Sequence, residues 1–163
     1  MQSPVPSFIH SLRSLSTILS TAEAHCEKHK IDPDAILTAR LFPDMLNFTR
    51  NVLITCDTAK GLAARLSQTD NPSFEDNETT FGELQARITK TIEFMKSVPD
   101  AAFDGAEDLE VVMKFGPEEH TFIGSNYLSG FATPNFYFHM TTAYNILRHN
   151  GVEIGKRDFL GAA

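Results

Sequence analysis

The 163-residue sequence predicts a mainly α protein: a four-helix bundle with a small β-hairpin between its third and fourth helices. Three observations carry that expectation. Apolar residues recur at alternating steps of four and three over four long stretches, the spacing of a single seam on a helix. One stretch alone, 109–124, changes to two β-prone runs around a turn. The breaks between the stretches are Pro, Gly, Asp and Asn, residues that end or cap helices.

The first helix is expected from about Ser7 to Lys30, with Phe8, Leu12, Leu15, Leu19 and Ala22 as its seam. Asp32 and Pro33 then suit the N-cap and first turn of a short helix over DAILTARL. The second long helix is expected from near Pro43 to about Ser67, with Met45, Phe48, Val52, Ala59, Leu62 and Leu66 inward. Gly61 inside it costs about 1 kcal/mol relative to Ala, which predicts that it serves close helix packing. QTDNPSFEDNE reads as a loop. The third helix, TTFGELQARITKTIEFMKSV, opens on Thr80 and Glu83, a capping-box pair, and Pro99 stops it. LEVVMKF and HTFIG flank Gly116-Pro117-Glu118-Glu119 as a hairpin that must lean on the helices, because an isolated strand pair is marginal. The last helix begins near Ser125, is interrupted at Pro134 by a kink or a restart, and ends at Gly151. The tail VEIGKRDFLGAA is expected to be extended, with Phe159 and Leu160 available to dock. One domain, 1–163, accommodates all of this.

Composition narrows the partners. A net charge of −7 with dispersed charges argues against nucleic acid and against an anionic membrane surface. No window reaches the roughly 20 apolar residues of a membrane span. The N-terminus lacks the basic and apolar regions of a signal peptide, and two distant cysteines, Cys26 and Cys56, suit a cytoplasmic protein with reduced thiols.

The stretch NFYFHMTTAYNILRHNG carries the leading site candidates. Asn135, His139, Thr142 and Ile146 share one stripe of the last helix, bordered by Phe131 and Phe138. Either His139 is a working ligand or base, or it is a buried neutral histidine bonded to a neighbour. His149 lies about 80° away around the helix, in the last turn, where it meets free carbonyls. In ITCDTAKG, Asp57 and Lys60 read either as a solvent-exposed ion pair or as part of a site in which Asp57 or Cys56 faces His139. Either one is a metal ligand once deprotonated. His10, His25, His29 and His120 are spread over a helix start, a polar helix end and a hairpin, and none is read as a metal site. Glu75, Asp76, Glu78, Glu107, Asp108, Glu118 and Glu119 read as solvated loop or turn acids.

ARLFPDMLNFTRNV, ITCDTAKGLAARL, FEDNETTFGELQARI and PNFYFHMTTAYNILRHNGVEIGKRDFLG together resemble the family catalogued as domain of unknown function 1993. That family is placed near the DinB/YfiT-like superfamily of metal-dependent four-helix bundles. The resemblance covers essentially the whole chain. It implies a site of three histidines, one from the second helix and two from a His-x-x-x-His on the last, followed by a Gly. With Gly151 as anchor, the second of that pair falls on His139 and the first on Asn135. The second helix offers Cys56 or Asp57 where its histidine would stand. Two functions follow as expectations. One is an altered or vestigial site for a divalent transition metal or small molecule, with His139, Asp57 and Cys56 as metal donors and Asn135 beside them. The other is a non-catalytic homodimeric binding module without metal.

Overall fold

A computed structural model describes residues 1–161. Helix α1 spans Val5–His29 and buries Phe8, Leu12, Leu15, Leu19, Ala22 and Cys26, so the seam lies where the spacing puts it. Left-handed Lys30 (φ 56°) ends it. In α2, Pro33–Leu37, the Asp32 side chain accepts from the Asp34 N–H at 3.1 Å, the expected cap.

Helix α3 spans Phe48–Ser67 and starts five residues later than Pro43. Asn47 is the reason: its Oδ1 accepts the Arg50 N–H at 2.9 Å and fixes the first turn there. Residues 41–47 are a turn instead, tied by Arg40 to the carbonyls of Pro43 and Met45, and Met45 is only half-buried. Gly61 does not serve helix packing. A Cβ there would meet the Arg65 guanidinium of its own helix rather than a neighbouring one.

Helix α4, Phe81–Ser97, has the predicted capping box: Glu83 N–H donates to Thr80 Oγ1 (3.1 Å) and Thr80 N–H donates to Glu83 Oε2 (3.0 Å). Strands β1, Glu110–Phe115, and β2, Glu118–Ile123, pair antiparallel with Phe115 opposite Glu118. The turn is therefore only Gly116-Pro117, and Glu118 and Glu119 belong to the strand. Phe115 and Phe122 lean on Phe131, with ring centroids 5.3 and 5.9 Å apart, which is how the hairpin gains the support it needs.

The last long helix is built in three pieces. A short turn, α5 (Gly124–Asn126), runs into a π-helical segment at Tyr127–Ala132 and then into α6, Thr133–His149. Pro134 sits in the first turn of α6, directly after the π-helical segment. The widened turn absorbs what the sequence presents as a kink. The tail is not extended throughout: Lys156–Leu160 forms α7, because the Asp158 carboxylate accepts the Gly155 N–H at 2.6 Å. Phe159 packs on Tyr144, whereas Leu160 stays exposed and offers its carbonyl to His10 at 2.7 Å. Ala162 and Ala163 lie outside the described residues.

The long helices α1, α3, α4 and α6 make a helical bundle in which α3 packs on both α4 and α6, α4 packs on α1, and α7 lies along α1. Leu12, Leu62, Leu84, Met140 and Ile146 are fully buried at its centre. Among the described residues no helix is long and apolar enough to cross a membrane.

Candidate functional site

The interface between α3 and α6 carries two side-chain bridges. His139 Nδ1 meets Asn51 Oδ1 at 2.9 Å, and Asn135 Nδ2 donates to Thr58 Oγ1 at 2.8 Å. Asn51 and Thr58 are seven residues apart, about two turns, so they share one face of α3. Asn135 and His139 share one face of α6 by the same rule. The pairing order, 51 with 139 and 58 with 135, makes the two helices antiparallel here.

The bonds of Asn51 assign the proton on His139. The Asn51 amide nitrogen donates to the carbonyls of Leu46 (3.0 Å) and Asn47 (2.8 Å). Its oxygen is then the only group left to face the ring, and an oxygen acceptor requires Nδ1 to carry hydrogen. Burial lowers the His139 pKa below its ordinary value, so the ring is neutral. Neutral with Nδ1–H, it leaves Nε2 as a bare lone pair. His139 is 9 % exposed, and the Phe138 ring lies edge-on to its imidazole with centroids 5.1 Å apart. Thr58 donates its own hydroxyl to Ile54 O at 2.7 Å, so it can only accept from Asn135 and fixes that amide as well.

Asp57 and Cys56 belong to a different place. Asp57 is one residue, about 100°, around α3 from Thr58 and faces α4. There Arg87, 2 % exposed along its side chain, is the hub of a network. Its Nη2 contacts Asp57 Oδ1 and Asp76 Oδ1, each at 3.0 Å. Its Nη1 donates to Glu78 Oε1 at 2.8 Å and Glu75 O at 2.9 Å. Asp57 also holds Lys60 at 3.1 Å. Of the two ends of that pair only Asp57 is open to solvent, at 38 % exposed, whereas Lys60 is buried and donates to Pro72 O at 2.6 Å. Phe74 lies under three cations, with Lys90 Nζ at 4.1 Å, Lys60 Nζ at 4.3 Å and Arg87 Cζ at 5.0 Å from its ring centre. Asp76 and Glu78 are thus tethers rather than solvated loop acids. Burial would raise the Asp76 carboxyl, but hydrogen bonds from Arg50 and Arg87 outweigh it and hold it below its ordinary value. Cys56 is fully buried beside Thr91, and burial pushes its thiol up to about 12, so it is an inert core residue. Recesses of about 490 and 380 Å³ flank Phe74, and neither is lined by His139 or Asn135.

The structure therefore unites His139 with Asn135 along one seam and sends Asp57 and Cys56 elsewhere. The residues at that seam do not make the three-histidine set that the family resemblance implies. Facing His139 is an amide, and among the described residues no group of three His, Cys, Asp or Glu side chains could hold an ion. Two residues that organise these places, Asn51 and Arg87, were not singled out in the sequence. Asn51 left a faint signal: a polar residue seven before Thr58 and four before Thr55 on a buried face.

Fold and seam define a helical-bundle protein whose long helices are cross-linked by buried amide, hydroxyl and imidazole groups. The model of the family described as Domain of unknown function (DUF1993) matches residues 1–160, and the chain belongs to that family. It is similar to a DinB family member protein from Shewanella denitrificans, known from a crystal structure. The TM-score is 0.91 and the identity 40 %, over 98 % of this chain and 90 % of that one. No curated protein matches the chain.

Proposed function

We propose that this DinB-like chain is a non-catalytic module that pairs with a second copy, and that a direct hydrogen bond takes the place of a metal between its helices. The Asn51–His139 bond carries the reading. An asparagine oxygen occupies His139 Nδ1, and the opposing amide is anchored by two carbonyls, so the seam is satisfied without an ion. The surroundings support pairing. Phe138 is 61 % exposed beside His139, and Phe42 and Leu46, 63 % and 45 % exposed, belong to the turn whose Leu46 carbonyl holds Asn51. Exposed apolar side chains mark interaction surfaces when they form a patch, and a two-fold pair is the commonest way to cover one.

Sedimentation equilibrium tests this directly. Wild type is expected to sediment as a dimer, and Phe138→Asp and Phe42→Asp as monomers with unchanged far-UV circular dichroism. A monomeric wild type at high micromolar concentration sinks the proposal.

A second reading is favoured by one observation, the bare Nε2 lone pair of His139. In that reading Nε2 accepts a hydrogen bond from, or ligates, a small molecule or metal entering at the Phe138 rim. Stoichiometric transition metal that copurifies with wild type and is lost in His139→Gln would select it over the first.

A further inference from the structure

The end of α1 reads His25-Cys26-Glu27-Lys28-His29. Four residues apart on a helix, the two imidazoles stand one turn above each other on a single face. Their ring centroids are 4.5 Å apart with the planes 44° apart. Among the described residues, ring hydrogen bonds are made by His10 and His139 but not by His25 or His29. Cys26, between them, is turned into the core and buried, so it stays out of the pair. His29 is exposed and His25 half-exposed. His25 borders a recess of about 190 Å³ shared with Thr21, Ala24, Lys28 and Glu153, which leaves room for solvent ligands.

From this geometry we infer that His25 and His29 are a two-imidazole chelate for a divalent transition ion, Cu²⁺, Ni²⁺ or Zn²⁺. Imidazole suits these ions, whereas Mg²⁺ and Ca²⁺ take oxygen donors. The i, i+4 spacing is the one that two helical histidines use to share a zinc ion. Both rings already share a face of a formed helix, so binding requires ring rotation but no backbone change. Among the described residues no third His, Cys, Asp or Glu joins them. Water or a small anion completes the coordination, which makes the ion exchangeable, unlike one in a closed structural site. Bound, the ion ties the last turn of α1 to the turn before it, immediately ahead of the left-handed residue Lys30. For a given ligand set, Cu²⁺ binds tightest. This site is independent of the α3–α6 seam and of the pairing proposed above.

The experiment is a titration of the full chain with Ni²⁺ and Cu²⁺ against a competing chromophoric chelator, using wild type, His25→Gln, His29→Gln and His139→Gln. Gln has high helix propensity, so the α1 variants keep their fold, which circular dichroism verifies. One site is expected in wild type. Losing either α1 imidazole weakens it at least ~10-fold, because the second ligand acts at high effective concentration. His139→Gln leaves it unchanged. In parallel, saturating Ni²⁺ raises the Tm of wild type and not of the two α1 variants. The inference is overturned if wild type binds no ion, if His25→Gln and His29→Gln bind as tightly as wild type, or if the loss follows His139→Gln instead.

Discussion

Arg87→Met tests whether the loop before α4 is held by charge. Methionine keeps the length and apolar stem of the side chain and removes its fork. Asp57 retains Lys60 at 3.1 Å and Asp76 retains Arg50 at 2.8 Å, and both acids are more than a third exposed. Losing Arg87 from each of them costs about 0–1 kcal/mol. Glu78 differs. Its side chain is 10 % exposed, Arg87 is its partner, and its Oε2 already lacks one. Breaking a buried pair from one side costs about 3–5 kcal/mol, because the other charge is stranded. The lost contact with Phe74 adds about 0.5–1 kcal/mol, and the better burial of methionine offsets about 1–2 kcal/mol. The net is about 4 kcal/mol, or a fall in Tm of roughly 8–16 °C for a chain of this size. Urea unfolding followed by circular dichroism should show a lower midpoint at unchanged m. The double variant Arg87→Met/Glu78→Gln leaves no stranded charge and should recover about half of the loss. A cost below ~1 kcal/mol for the single variant, or no recovery in the double, refutes the argument that Glu78 is the main term.

Two further outcomes follow from the geometry. Burial lowers the His139 pKa, so the unfolded chain takes up a proton at about pH 6.5 while the folded chain resists it to lower pH. Its contribution is full above the unfolded value and is lost as pH falls toward the folded one. The stability gap between wild type and His139→Gln should therefore narrow from about pH 7.5 to about pH 5.5; a gap that widens toward acid means a protonated ring and refutes the neutral state with a bare Nε2. The two buried glycines should respond oppositely to alanine. In Gly124→Ala the new Cβ falls on the Ala106 carbonyl and costs about 1–3 kcal/mol, whereas in Gly61→Ala it displaces only the flexible Arg65 tip and gains up to about 1 kcal/mol of helix propensity. Equal melting shifts in the two variants would contradict this.

Local signals were readable and cross-chain ones were not. The Thr80–Glu83 box and the Asp32 cap each involve groups within three residues, so residue order determines them. The stripe of Asn135 and His139 follows from helical period alone. What faces that stripe does not, because periodicity says nothing about how α3 slides along α6. Asn51 is opposite His139 only through that register. The loop acids misled for another reason. QTDNPSFEDNE is polar enough to read as solvated, yet one guanidinium reaching back from α4 gathers Glu75, Asp76 and Glu78 onto the bundle. The start of α3 and the helical tail were missed at Asn47 and Asp158, single caps in segments whose composition favoured something else.

The π-helical turn at Tyr127–Ala132 acts as a phase shifter. An i→i+5 turn holds about one residue more than an α turn, and each residue is worth about 100° of rotation. The helical wheel ahead of Thr133 is therefore out of step with the wheel behind it. The face that meets the hairpin through Tyr127 and Phe131 lies ahead of the shift, and the face that aims Asn135 and His139 at α3 lies behind it. Removing one residue from that turn would restore a continuous α-helix and swing one of those two faces out of alignment. The count of residues between the hairpin and Pro134 is thus itself a determinant of which side chains the bundle can cross-link.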